Sequence, residues 1–84
     1  MRYTYTAVIT RGTDKCYARI PDIAGCITTG KGLEDAVVQI TDALRGCLMV
    51  LRDNGFPIPQ ATPQQDIPHG VMDLLVSVGV EIAV

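Results

Sequence analysis

The sequence predicts a two-layer α+β domain with the element order β-β-β-α-β. Three observations carry that expectation: side chains alternate with period two near both ends, a long central run has helical spacing, and glycine or proline clusters separate them. With 84 residues, 48% hydrophobic and 19% charged, the chain holds material for one core, so a single domain over residues 1–84 is expected.

The first strand is placed at residues 3–11, where Tyr3, Tyr5, Ala7 and Ile9 alternate with Thr4, Thr6, Val8 and Thr10. Residues 12–15 supply a tight turn through Gly12 and Asp14. A second strand from Cys16 to Ile20 then stops at Pro21, which has no amide hydrogen to give a sheet ladder. After the turn at residues 21–25, a short third strand covers residues 26–29.

From Leu33 onward the period changes. Leu33, Ala36, Val37, Ile40, Leu44, Cys47, Leu48 and Leu51 recur at steps of three and four, predicting a helix over residues 33–53 with one apolar face. Glu34 and Asp35 in the first turn and Arg52 in the last suit the helix dipole, and Gly55 supplies a left-handed stop. Gly46, which costs about 1 kcal/mol against alanine inside a helix, reads either as simple tolerance or as a point of close packing.

Residues 54–68 form a proline-punctuated return, expected to be anchored to the core by Phe56 and Ile58. Its length suits either a plain crossover or a partner surface. Residues 73–84 end the chain as a strand. Its apolar positions Leu74, Val76, Val78, Val80, Ile82 and Val84 are expected to turn toward Ile40, Leu44, Leu48 and Leu51 of the helix.

Several functions are disfavoured at this level. Seven Lys and Arg against nine Asp and Glu give a formal charge of -2, so no global positive field draws the chain to nucleic acid. There is no run approaching the roughly 20 apolar residues of a membrane helix, and the first residues lack the apolar centre of a signal peptide, so a cytoplasmic location is expected. Cys16, Cys26 and Cys47, ten and twenty-one residues apart, match neither a CxxC redox pair nor a zinc site and read as packed thiols. His69, alone in the turn-rich stretch 66–70, reads as a surface group. No catalytic, cofactor-binding or metal residue is assigned, and no cofactor is expected.

Three runs then point to a family. They are Tyr17-Ala18-Arg19-Ile20-Pro21-Asp22-Ile23-Ala24-Gly25-Cys26-Ile27-Thr28-Thr29-Gly30, Leu33-Glu34-Asp35-Ala36 at the helix start, and Asp53-Asn54-Gly55-Phe56-Pro57-Ile58-Pro59 at its exit. In this order they resemble the HicB-like antitoxin family in its short form, the N-terminal HicB-like domain only. The resemblance implies a partial RNase H-like fold with sheet order 3-2-1-4, the fourth strand parallel to the first and reached by a right-handed crossover. It also implies an antitoxin of a type II toxin-antitoxin system, binding and neutralising a small HicA-like RNA-cleaving toxin.

Many family members continue into a DNA-binding domain, whereas this sequence ends at Val84, so direct DNA binding is not expected. The alternative function is an orphan HicB-like oligomeric binding or regulatory module without a toxin partner. A cysteine- or histidine-dependent enzyme is the third class. Metal-dependent RNase H chemistry needs converging carboxylates, and the first strand carries none. Asp35 and Asp42 belong to the helix and Asp73 and Glu81 to the last strand. A homodimer or higher homo-oligomer is expected through the edge of the last strand, with no membrane partner.

Overall fold

The strand β1 (Arg2–Arg11) is the axis of a four-stranded sheet, with β2 (Cys16–Arg19) on one side and β4 (Leu74–Glu81) on the other. The short β3 (Ile27–Gly30) lies beyond β2, and the order β3-β2-β1-β4 is the one expected. The α-helix α1 spans Leu33–Asp53, with the bounds its apolar periodicity predicts. This computed structural model describes residues 1–83; Val84, assigned from sequence to the last strand, lies outside the described residues.

Alternation along the strands divides their side chains between two faces. Tyr5, Ala7 and Ile9 of β1, Cys16 and Ala18 of β2, and Val78 and Val80 of β4 join Ala36, Ile40, Leu44 and Leu48 of α1 in one buried cluster. Leu44 is fully buried and Val78 is 3% exposed, which fixes the expected register of helix against sheet. Leu51 and Val76 pack at its margin, half-buried.

The direction of β4 differs from the expectation. Tyr3 pairs with Val80 and Ile9 with Leu74, so β4 runs antiparallel to β1, not parallel, and the right-handed rule for parallel crossovers does not apply. The cause is the long connection. α1 carries the chain from the Gly30 end of the sheet back to the Met1 end, and residues 54–73 then return it to the Ile9 end before β4 begins. β4 is also shorter than the twelve residues expected, at eight.

That return crosses the sheet face away from α1. Thr6, Val8 and Ile67 are buried although none belongs to the helix-facing core. On the same face the Arg19 guanidinium donates to the Pro68 carbonyl at 3.4 Å, and the Thr10 hydroxyl donates to Asp73 at 2.8 Å. The short 3-10 turn Gln64–Asp66 leads into Ile67. Of the two expected anchors, Ile58 packs against the core, whereas Phe56 is 60% exposed: the left-handed turn at Gly55 (φ 70) carries it outward past the helix end.

Candidate functional site

A broad concavity lies between α1 and the turn that joins β2 to β3. Ile23 and Ala24 of the turn face Ala43, Gly46, Cys47 and Val50 of α1 across an apolar groove of about 670 Å³, with Leu51 and Pro59 completing its lining. Local chemistry builds both walls. Pro21 ends β2, after which the Ile20 amide donates to the Cys26 carbonyl at 3.0 Å and the Ile23 amide donates to the Ile20 carbonyl at 3.0 Å, closing a compact loop. Gly25 makes that loop feasible by adopting φ 79, a conformation that side chains with a β-carbon rarely take.

The helical wall is made of small residues, and Gly46 stands in it. A β-carbon there would meet no heavy atom within 4 Å outside its own helix, so Gly46 is not required for close packing inside the described structure. Val50, 58% exposed, and the exposed Met49 extend the apolar surface along α1.

Two long-range contacts hold the return segment beside the groove. The Asp22 carboxylate accepts from the Thr62 amide at 2.9 Å and from the Thr62 hydroxyl at 2.6 Å. The Tyr5 hydroxyl donates to the Pro59 carbonyl at 2.5 Å. Burial raises the Tyr5 pKa, and the Asp22 charge adds to the effect. Asp22 thereby ties its own turn to a residue forty positions away.

Asp35, Asp42, Asp73, Glu81 and His69 have structural partners. Asp35 accepts from the Lys31 amide and then from Gln39, which together hold its carboxyl below the ordinary range. Asp73 is lowered in the same way, first by the Gly70 amide and then by the Thr10 hydroxyl. His69 is exposed, its Nδ1 donating to the Ile67 carbonyl at 2.8 Å. Asp42 pairs with Arg45 on the outer side of α1, while Glu81 approaches the chain's amino terminus at 3.4 Å. The four carboxylates singled out from sequence are thus dispersed, and among the described residues no three metal-ligating side chains converge.

The cysteines are distributed unequally. Cys16 is buried on β2 at 6% exposure, and Cys26 is buried at the end of the 20–26 loop at 1%. Cys47 is half-buried and opens onto the groove. Burial pushes the Cys26 thiol up to about 12, and the adjoining Cys47 thiol contributes further.

The second surface feature is the sheet edge. β4 has β1 on one side and no strand on the other among the described residues, leaving the outward backbone groups of Leu74–Glu81 unpaired by the sheet. Just before it, Val71 and Met72 are 99% and 83% exposed. No helix among the described residues is long and apolar enough to cross a membrane.

Comparison with known proteins agrees with this architecture. The model of the HicB_like antitoxin of bacterial toxin-antitoxin systems matches residues 5–77. The UPF0150 protein Ta0767 of Thermoplasma acidophilum is 30% identical over 66 residues, covering 77% of this chain and 96% of that protein. Among solved structures, a chain from a toxin-antitoxin complex of Streptococcus pneumoniae superposes with a TM-score of 0.84 at 16% identity, over 96% of this chain and 70% of that one. The N-terminal domain of the Burkholderia pseudomallei antitoxin HicB gives 0.72 at 15% identity, over 98% and 100%. A chain of the HicA3 and HicB3 toxin-antitoxin complex gives 0.70 at 23% identity, over 90% and 95%.

Proposed function

From the match over residues 5–77, which makes this chain a member of the HicB-like antitoxin family of bacterial toxin-antitoxin systems, we propose that it is an antitoxin that neutralises a small HicA-like RNA-cleaving toxin by binding it. The match over most of the chain is the observation that carries this reading. It is supported by the surface chemistry: the groove beside α1 and the exposed Met49 and Val50 offer apolar contact, while the formal charge of -2 complements a basic RNA-binding protein. The action is binding in the cytoplasm, not catalysis.

Self-association belongs to the same reading. The open edge of β4 is eight residues long, and two copies pairing edge to edge about a two-fold axis would satisfy its outward backbone groups. The outer face contributes less than the edge, because Tyr5 is turned to the helix and the return segment covers part of the face. Tyr17, 46% exposed, and half-buried Leu75 remain available there.

Co-expression with a small HicA-like toxin tests the proposal. The expected result is a co-purifying complex in which RNA cleavage by the partner is suppressed. A partner that neither binds this chain nor loses its cleavage activity in its presence overturns the reading.

A further inference from the structure

We propose that the toxin docks in the groove between α1 and the 20–26 loop through an amphipathic segment, with apolar side chains seated over Gly46 and a Lys or Arg side chain against the Asp22 carboxylate. The identity of the partner rests on the antitoxin reading. The place and the chemistry rest on the groove itself.

Charge selects this occupant. Asp22 is the one charged residue in a lining that is otherwise apolar. Both of its oxygens accept hydrogen bonds from Thr62, but those donors are neutral, and among the described residues no Lys, Arg or His forms an ion pair with the carboxylate. A half-buried anion beside an apolar trough is complemented by a ligand that brings a cation on an otherwise apolar surface.

Shape agrees with charge. Ala43, Gly46 and Val50 follow one side of α1 at steps of three and four, a trough about 10 Å long at 1.5 Å per residue. At its centre Gly46 contributes no side chain, and a β-carbon there would meet nothing within 4 Å outside its own helix, so an entering side chain can reach the helix backbone. The volume of about 670 Å³ lies inside the range of roughly 300–1,000 Å³ typical of ligand pockets. The lining belongs to the helix, the loop and the return segment and none of it to a sheet edge, so side chains make the contact and not strand pairing. Thr62 on Asp22 and Pro59 on Tyr5 fix the walls in advance, which limits the entropy lost on docking.

The test uses the full chain and a purified HicA-like toxin, with affinity measured by calorimetry. Gly46→Leu fills the trough, and because leucine is the better helix former the variant is expected to melt no lower than wild type. It is expected to bind the toxin at least about tenfold more weakly, whereas Val38→Ser, exposed on α1 outside the groove, is expected to bind within about twofold. Asp22→Asn keeps a carboxamide oxygen for the Thr62 amide and an NH2 for the Thr62 hydroxyl while removing the charge. Its affinity is expected to fall about tenfold at low ionic strength, with the gap closing as salt is added. Cys47, half-buried in the lining, reports occupancy directly: its alkylation by N-ethylmaleimide is expected to slow at least about tenfold in the complex.

Wild-type chain that binds no such toxin overturns this assignment together with the antitoxin reading. Wild-type binding that Gly46→Leu or Asp22→Asn leaves unchanged, or a complex in which Cys47 is alkylated as fast as in the free chain, overturns the assignment and leaves that reading standing. Gly46→Leu that lowers the sedimentation mass of the toxin-free chain puts a second copy in the groove and overturns it as well.

Discussion

A β-carbon on Gly30 would stand 2.3 Å from the amide nitrogen of Ala36 and 2.5 Å from its α-carbon. The last residue of β3 therefore touches the backbone of the first helical turn, and no side chain lies between them that could rotate away. Gly30→Ala is expected to cost about 3 kcal/mol, because either β3 or the start of α1 must shift. Gly46→Ala, in open space on the same helix, is expected to stabilise by about 0.5–1 kcal/mol. Urea denaturation of the two variants should give shifts of opposite sign.

Leu44 stands at the centre of the helix-facing core and is fully buried. Leu44→Ala is expected to lose about 2–5 kcal/mol, a large share of the stability of a small domain. Chemical denaturation measures it directly. A loss below about 1 kcal/mol would contradict the packing of α1 on the sheet.

Asp22 and Thr62 anchor the return segment through two bonds to one carboxylate. Asp22→Ala leaves the partly buried Thr62 amide without its acceptor and is expected to cost about 1–3 kcal/mol. Amide hydrogen exchange should show faster exchange at Thr62 and its neighbours while the centre of α1 stays protected. Unchanged exchange at Thr62 would count against the anchoring role.

Asp73 ties the entry of β4 to β1 through the Thr10 hydroxyl and holds a carboxyl below the ordinary range. Since its folded value is lowered, its contribution is fully present above the unfolded value of about 3.9 and is lost as pH falls through the folded value. Carbon-detected titration is expected to place the Asp73 midpoint below that of an unstructured aspartate, and Asp73→Asn to weaken the acid dependence of stability in that window. A midpoint at or above the ordinary value would refute the assignment.

Edge pairing through β4 predicts a dimer in the absence of any partner. Sedimentation equilibrium is expected to show a mass above 9.0 kDa that falls toward the monomer on dilution, and Leu75→Asp to shift the balance toward monomer. A mass that stays near 9.0 kDa at high micromolar protein ends the edge-pairing proposal.

Local periodicity in the sequence was enough to determine the span of α1 at Leu33–Asp53 and the inward face of β4, because both follow from which neighbours along the chain are apolar. The family resemblance was legible from contiguous runs of residues at the 20–26 loop, the helix start and its exit, and not from periodicity. The direction of β4 was not available in that way. Alternation with period two assigns faces but is the same read forward or backward, so the course of residues 54–73 across the second face decided that β4 runs against β1. The tie between Asp22 and Thr62 and the groove between loop and helix likewise arose only in the tertiary structure. Each joins residues distant in sequence, which local patterning leaves independent and which the packing of one helix on one sheet brings into contact.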